Sequence, residues 1–218
     1  GGGAVMPAAD VRAISKVCAD HAVPLYLDGA RIFNACAVTG ASVADYAAGV
    51  DAMMFCLSKG LGAPIGSVLA GDLEFIREAR RLKILFGAGW RQAGIMAAAG
   101  LIALEEGPGR LATDHANARR LAEGVAGIVP GSLDPAQVET NIVFADVVGA
   151  TGHRLATWVD ALASEGVLVT TVAGRVRMLT HVDVTARDVG AALAAWRLAA
   201  ARLGSAPGAA PASQYRGT

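Results

Sequence analysis

The stretch Leu57-Ser58-Lys59-Gly60-Leu61-Gly62-Ala63-Pro64-Ile65-Gly66-Ser67-Val68-Leu69-Ala70-Gly71 sets the organisation of this chain. Before it, Ala52-Met53-Met54-Phe55-Cys56 is an unbroken apolar run, which predicts a strand buried on both faces. The strand gives way to Ser58-Lys59, after which Gly60, Gly62, Pro64 and Gly66 predict a tight loop with few side chains. Lys59 is therefore expected among small and apolar residues. Burial at such a place disfavours an ammonium ion and favours the free, nucleophilic amine. Lysine is scarce, with only Lys16 and Lys83 besides, and both of those lie in helical patterns beside polar residues. Spacing rules out two nucleotide loops. A Walker A lysine follows its glycines, whereas Lys59 precedes them, and Gly60, Gly62 and Gly66 with Pro64 inside do not make G-x-G-x-x-G.

The 218 residues are 54% hydrophobic and carry no formal net charge, enough for a sizeable core. A neutral balance without a basic run argues against nucleic acid as a partner. Cys18, Cys36 and Cys56 stand apart in apolar contexts, which reads as reduced core thiols in a cytoplasmic protein. The most apolar segment, 93–104, is too short to cross a bilayer and predicts a buried helix. The four histidines lack metal-ligand spacing, so no metal site is expected.

Outward from the central stretch, Pro7 to His21 has helical spacing with Val11, Ile14 and Val17/Cys18 on one face. Pro24–Asp28 reads as a short strand ending in an acid, and 32–38 and 43–48 as short helices. Helices alternating with strands predict an α/β fold with a mostly parallel sheet, whose ligands gather at the C-terminal strand ends. Asp28 and Lys59 both fall at such ends. Asp72 predicts a cap for a helix reaching Leu85, with Leu73, Ile76, Ala79 and Leu82 inward. Glu105-Glu106-Gly107-Pro108-Gly109 reads as a domain boundary, dividing residues 1–108 from a connecting helix and small α+β domain over 109–203. In that second part 141–146, 167–173 and 175–181 read as strands, and 153–165 and 185–203 as helices. Residues 204–218, rich in Pro, Ala, Gly and Ser, read as a disordered tail.

A carboxylate at Asp28 suits a pyridinium nitrogen, against the plainer reading of a surface turn acid. Arg31 brings a fork of donors for a carboxylate or phenolate, or a solvated helix charge. Arg175 and Arg177 share one strand face, so either suits a substrate carboxylate, or both line an exposed edge. His181, near Asp183, reads as a surface histidine.

Together, Leu27-Asp28-Gly29-Ala30-Arg31, the run from Phe55 to Gly71, Trp90-Arg91-Gln92-Ala93-Gly94 and Arg177-Met178-Leu179-Thr180-His181 resemble the low-specificity L-threonine aldolases. The resemblance implies the C-terminal portion of an aspartate-aminotransferase-like (fold type I) enzyme that uses pyridoxal 5'-phosphate, with its large domain ending near residue 108. It implies that Lys59 bonds the cofactor, Asp28 faces the ring nitrogen, Arg31 lies near the phenolic oxygen and substrate, and Arg177 holds the substrate carboxylate. The implied reaction cleaves threonine or allo-threonine to glycine and an aldehyde, in a homodimer or homotetramer. A related β-eliminating lyase, or a non-catalytic remnant of the fold, stays open as an alternative. Tyr26, Ile84 and Ala88 depart from the family's usual histidine, lysine and glycine. The phosphate-binding loop, the ring-stacking histidine and the base for the β-hydroxyl are expected upstream of Gly1.

Overall fold

A computed structural model describes residues 2–204 of the chain; the expected tail from 205 onward lies outside the described residues. The described chain forms two compact units. One spans Val5–Thr113, and the other joins residues 2–4 to 114–204.

In the first unit, α1 (Ala8–Asp20), β1 (Tyr26–Asp28), α2 (Ile32–Thr39), α3 (Val43–Ala47) and β2 (Ala52–Cys56) alternate as the spacing predicts. β3 (Ser67–Gly71) and α4 (Leu73–Leu85) follow. The sheet order is β1-β2-β3. β1 runs parallel to β2, with Asp28 beside Met54, while β2 and β3 are antiparallel, with Cys56 beside Ser67. The sheet is thus mixed, because a crossover helix joins parallel strands and the short loop 57–66 can only return the chain antiparallel. A core of Ala8, Val11, Ile32, Tyr46 and Met53 packs α1, α2 and α3 on the sheet. Ser42 begins α3 with a capping box, its hydroxyl accepting from the Asp45 amide at 3.1 Å.

Several expected inward residues lie outside. Val11 is buried, but Ile14 and Val17 are exposed. Asp72 does cap α4, accepting from the Phe75 amide at 2.8 Å, yet α4 buries no residue fully and Leu73 faces solvent. The predicted buried helix over 93–104 is also corrected, since Ile95 is 75% exposed and Leu101 and Ile102 are exposed with it. The three cysteines are free but only half-buried. Among the described residues, no helix is long and apolar enough to cross a membrane.

The break expected at Gly107-Pro108-Gly109 does not occur: Gly94–Ile128 is one continuous helix, α5, with Pro108 inside it. An interior proline costs a helix ~3 kcal/mol, and packing on either side of this one offsets it. Gly107 is seated on Leu61, where an added Cβ would come within 2.9 Å of the Leu61 carbonyl oxygen, and Leu111 is fully buried just beyond.

The second unit holds the end of α5, β4 (Ile142–Ala145), α6 (Val147–Thr151), α7 (Leu155–Ser164), β5 (Thr170–Val172), β6 (Arg175–Leu179) and α8 (Ala186–Leu203). Its sheet is antiparallel in the order β4-β6-β5. The short helix α6 was not expected; the Asp146 carboxylate starts it, accepting from the Gly149 amide at 2.8 Å. Trp158 of α7 and Trp196 of α8 lie with ring centroids 5.4 Å apart in a core shared with Val125, Val143, Leu162 and Val176. Thr185 and Asp188 form the predicted capping box of α8, and the Thr185 hydroxyl and amide hold the Asp188 carboxyl below its ordinary value. α5 is tied to the sheet by buried polar contacts. The Thr180 hydroxyl donates to the Asp114 carbonyl at 2.6 Å, and Asn141 Nδ2 donates to the Thr180 carbonyl at 2.8 Å.

Burial also pushes the His115 ring below 6.5, the ordinary histidine value, with Asp114 opposing the shift. The unfolded chain then binds this proton more readily than the folded one. Stability from this group is therefore whole above about pH 6.5 and declines as pH falls through the lowered folded value. Urea midpoints at about pH 7.5 and about 5.5 are expected to differ less for His115→Gln than for the wild type.

Candidate functional site

β1 and β2 are parallel neighbours, so the segments leaving their C-terminal ends emerge on the same edge of the sheet. Asp28 is the last residue of β1 and is exposed there. Its Oδ1 accepts from the Ala30 amide at 3.1 Å, fixing the turn. The Gly29 amide donates to the Met54 carbonyl at 2.9 Å, which presses this turn onto β2. A Cβ at Gly29 would lie 2.8 Å from that same oxygen, so only glycine fits. Arg31 follows at the start of α2, half-buried.

The Lys59 loop leaves the adjacent strand. Leu57 and Ser58 donate to the Gly66 carbonyl at 2.9 and 3.3 Å, Ala63 donates to Leu57 at 3.0 Å, and Gly62 donates to Lys59 at 3.0 Å. Leu61 and Ala63 are buried against Ala103 of α5, with Leu57 and Leu104 packed on them. Lys59 itself is half-buried, less enclosed than the sequence predicts. Its backbone is well held and its side chain stands at a partly open edge.

Asp28, Arg31 and Lys59 thus belong to one sheet edge of the first unit. Arg177 belongs to the second unit, on β6, half-buried and in register with Phe144 on one side and Thr170 on the other. Arg175 is exposed, its guanidinium 4.6 Å from the centre of the Phe144 ring, which engages it in a cation–π contact. His181 Nδ1 lies 3.3 Å from the Asp183 carboxylate. Among the described residues no cluster of histidine, cysteine and acid side chains could hold a metal. Burial pushes the Cys36 thiol up and keeps it protonated, a poor nucleophile.

Two residues beside the site were not singled out from the sequence. Asn34 is buried on α2, where an added Cβ on Gly60 would come within 2.8 Å of its Oδ1. Arg110 of α5 donates through Nη2 to the Gly60 carbonyl at 2.7 Å. The signal for Asn34 was a lone amide in the apolar run Ile32-Phe33-Asn34-Ala35-Cys36. Arg110 gave none, because its partner lies 50 residues earlier.

The chain is 38% identical over 189 residues to a probable low-specificity L-threonine aldolase 2 of Arabidopsis thaliana, covering 86% of this chain and 53% of that protein. It is 34% identical over 200 residues to the low specificity L-threonine aldolase of Escherichia coli (strain K12), covering 92% of this chain and 58% of the relative. Among solved structures, an Exiguobacterium sp. 255-15 protein assigned as an aromatic amino acid beta-eliminating lyase/threonine aldolase matches with a TM-score of 0.69 at 23% identity, over 90% of this chain and 58% of that one. A Listeria monocytogenes protein assigned as an L-allo-threonine aldolase matches at 0.69 and 19% identity, over 89% and 57%. These likenesses bear out the α/β fold, and the chain spans a little over half the length of these relatives. The family model described as Beta-eliminating lyase matches residues 1–148, and the chain belongs to that family.

Proposed function

We propose that the chain is the C-terminal portion of a pyridoxal-phosphate-dependent aldolase that cleaves L-threonine or L-allo-threonine to glycine and an aldehyde. The observation that carries this reading is the placing of Asp28 at the end of β1 and of Lys59 in the loop that leaves the end of β2, its parallel neighbour. The donor set suits the cofactor: a carboxylate for a ring nitrogen, a guanidinium for an anionic oxygen and a primary amine for an aldehyde carbon. When bound, pyridoxal phosphate supplies an electron-withdrawing ring that accepts the electron pair left at the substrate's α-carbon. Asp28 keeps the ring nitrogen protonated. Lys59 would hold the cofactor through its primary amine and would be the group on this edge that moves a proton to or from the α-carbon. Arg31 binds an anionic oxygen, and Arg177 binds the substrate carboxylate. In the overall change the β-hydroxyl loses its proton, the Cα–Cβ bond breaks to release the aldehyde, and a proton is added at Cα to give glycine.

On the same reading, residues 1–108 are the end of the cofactor-binding domain and 109–203 the connecting helix and small domain. The protein would be cytoplasmic, in keeping with its free thiols. Its exposed apolar residues Ile84, Leu85, Phe86 and Ile95 support assembly into a dimer or tetramer, which a sedimentation mass checks.

The test is a product assay with pyridoxal phosphate and threonine. Equal amounts of glycine and acetaldehyde are expected. Ammonia and 2-oxobutanoate instead would mark a β-eliminating lyase, and no product from either substrate would favour a non-catalytic remnant. The lyase alternative has the family match in its favour, while the named relatives at 34–38% identity favour the aldolase.

A further inference from the structure

The loop that carries Lys59 is held from outside as well as from within. Its internal backbone bonds use the carbonyls of Leu57, Lys59 and Gly66. The Gly60 carbonyl, one peptide beyond Lys59, receives the Arg110 guanidinium at 2.7 Å in a part-buried setting. A buried carbonyl needs a donor, and a charged donor makes a shorter and stronger bond than a neutral one. Gly60 is also wedged between two helices, since an added Cβ would meet Asn34 Oδ1 of α2 at 2.8 Å and Leu111 Cδ2 of α5 at 3.1 Å. On the other side of the peptide, Leu61 is seated on Gly107. α5 therefore grips the chain immediately after Lys59, and Arg110 is the polar part of that grip.

We propose that Arg110 is a positioning residue for the Lys59 amine, acting through the Gly60 carbonyl. The inference rests on the reading of Lys59 as the cofactor's lysine. A lysine side chain is long and flexible, so what fixes the reach of its amine is the placing of its backbone. Misplacing a reacting group by ~1 Å can cost about 10²-fold in rate. Without the guanidinium, the Gly60 carbonyl loses its charged anchor, the loop backbone shifts within its packing, and the Lys59 amine is displaced from the aldehyde carbon it must attack. Leu111 and Ala103 keep α5 packed in its absence, so the loss falls on the loop.

The experiment follows covalent capture of pyridoxal phosphate by the full chain, quenched with borohydride at timed intervals and read as labelled mass at Lys59. Arg110→Met is expected to lower the saturating capture rate by about tenfold or more. The half-saturating pyridoxal phosphate concentration is expected to stay near the wild-type value, because Arg110 touches the loop and not the ligand. Arg110→Lys restores a charged donor and is expected to recover most of the rate. If Arg110→Met lacks the wild-type circular dichroism, Arg110→Gln is compared with Arg110→Lys in the same way. Capture by the uncharged variant at the wild-type rate overturns the proposal while leaving the role of Lys59 intact. So does a rate loss that Arg110→Lys does not rescue. A wild-type chain that takes no label at Lys59 overturns the cofactor reading and this inference with it.

Discussion

With Lys59 replaced by alanine, the chain is expected to bind pyridoxal phosphate only reversibly, to take no borohydride-stable label and to release no acetaldehyde from threonine. The reason is positional. The other lysines, Lys16 on α1 and Lys83 on α4, are both exposed and neither leaves the C-terminal end of β1 or β2. Lys59 is half-buried, and its neighbours Gly60, Leu61 and Ala63 are buried against helices. Its amine is therefore offered from a fixed backbone. Absorbance with and without pyridoxal phosphate, wild type beside Lys59→Ala, checks the first point, and the threonine assay checks the last. A wild-type visible band that survives in Lys59→Ala would assign the covalent role elsewhere.

The second large effect concerns the unit that carries Arg177. Trp196→Ala is expected to destabilise it by about 3–5 kcal/mol, the usual cost of emptying a buried aromatic site. Trp196 is 0% exposed and packs on Trp158, with Val189 and Leu193 on its own helix in the same core. Trp196→Phe is expected to cost much less, because the Trp196 indole N–H is buried without a hydrogen-bond partner and its removal relieves that penalty. Urea unfolding of the two variants, followed by far-ultraviolet circular dichroism, measures both. Equal destabilisation by Ala and Phe would mean that the complete indole, rather than a filled aromatic volume, holds this core.

Much of the scaffold was legible because local chemistry and packing agree there. An unbroken apolar run makes β2, Asp28 closes β1 just before a glycine that only glycine can replace, and Thr185 with Asp188 starts α8 as their spacing predicts. Elsewhere tertiary contacts decided against local preference. Gly107-Pro108-Gly109 carries every mark of a break, yet α5 continues because Leu61 fills the space that Gly107 leaves. Apolar spacing located the helices 73–85 and 94–104 but not their surroundings. Periodicity says which residues share a face, and Leu73, Ile95 and Leu101 show that such a face can remain exposed. In the site, Asp28 and Lys59 stood out because Asp28 ends β1 and Lys59 opens the glycine-rich loop just after β2. Asn34 and Arg110 did not, since each matters through a loop distant in sequence. The half-buried state of Lys59 was not legible either, because glycines mark a tight turn without saying what covers it.

The most direct measurement is the location of the covalent bond in the wild-type chain. The protein is mixed with pyridoxal phosphate, reduced with borohydride, digested and mapped by mass spectrometry across its three lysines. Label confined to the peptide containing Lys59 is the predicted result. Label shared evenly with Lys16 and Lys83, or absent from Lys59, would contradict a cofactor site at this strand edge.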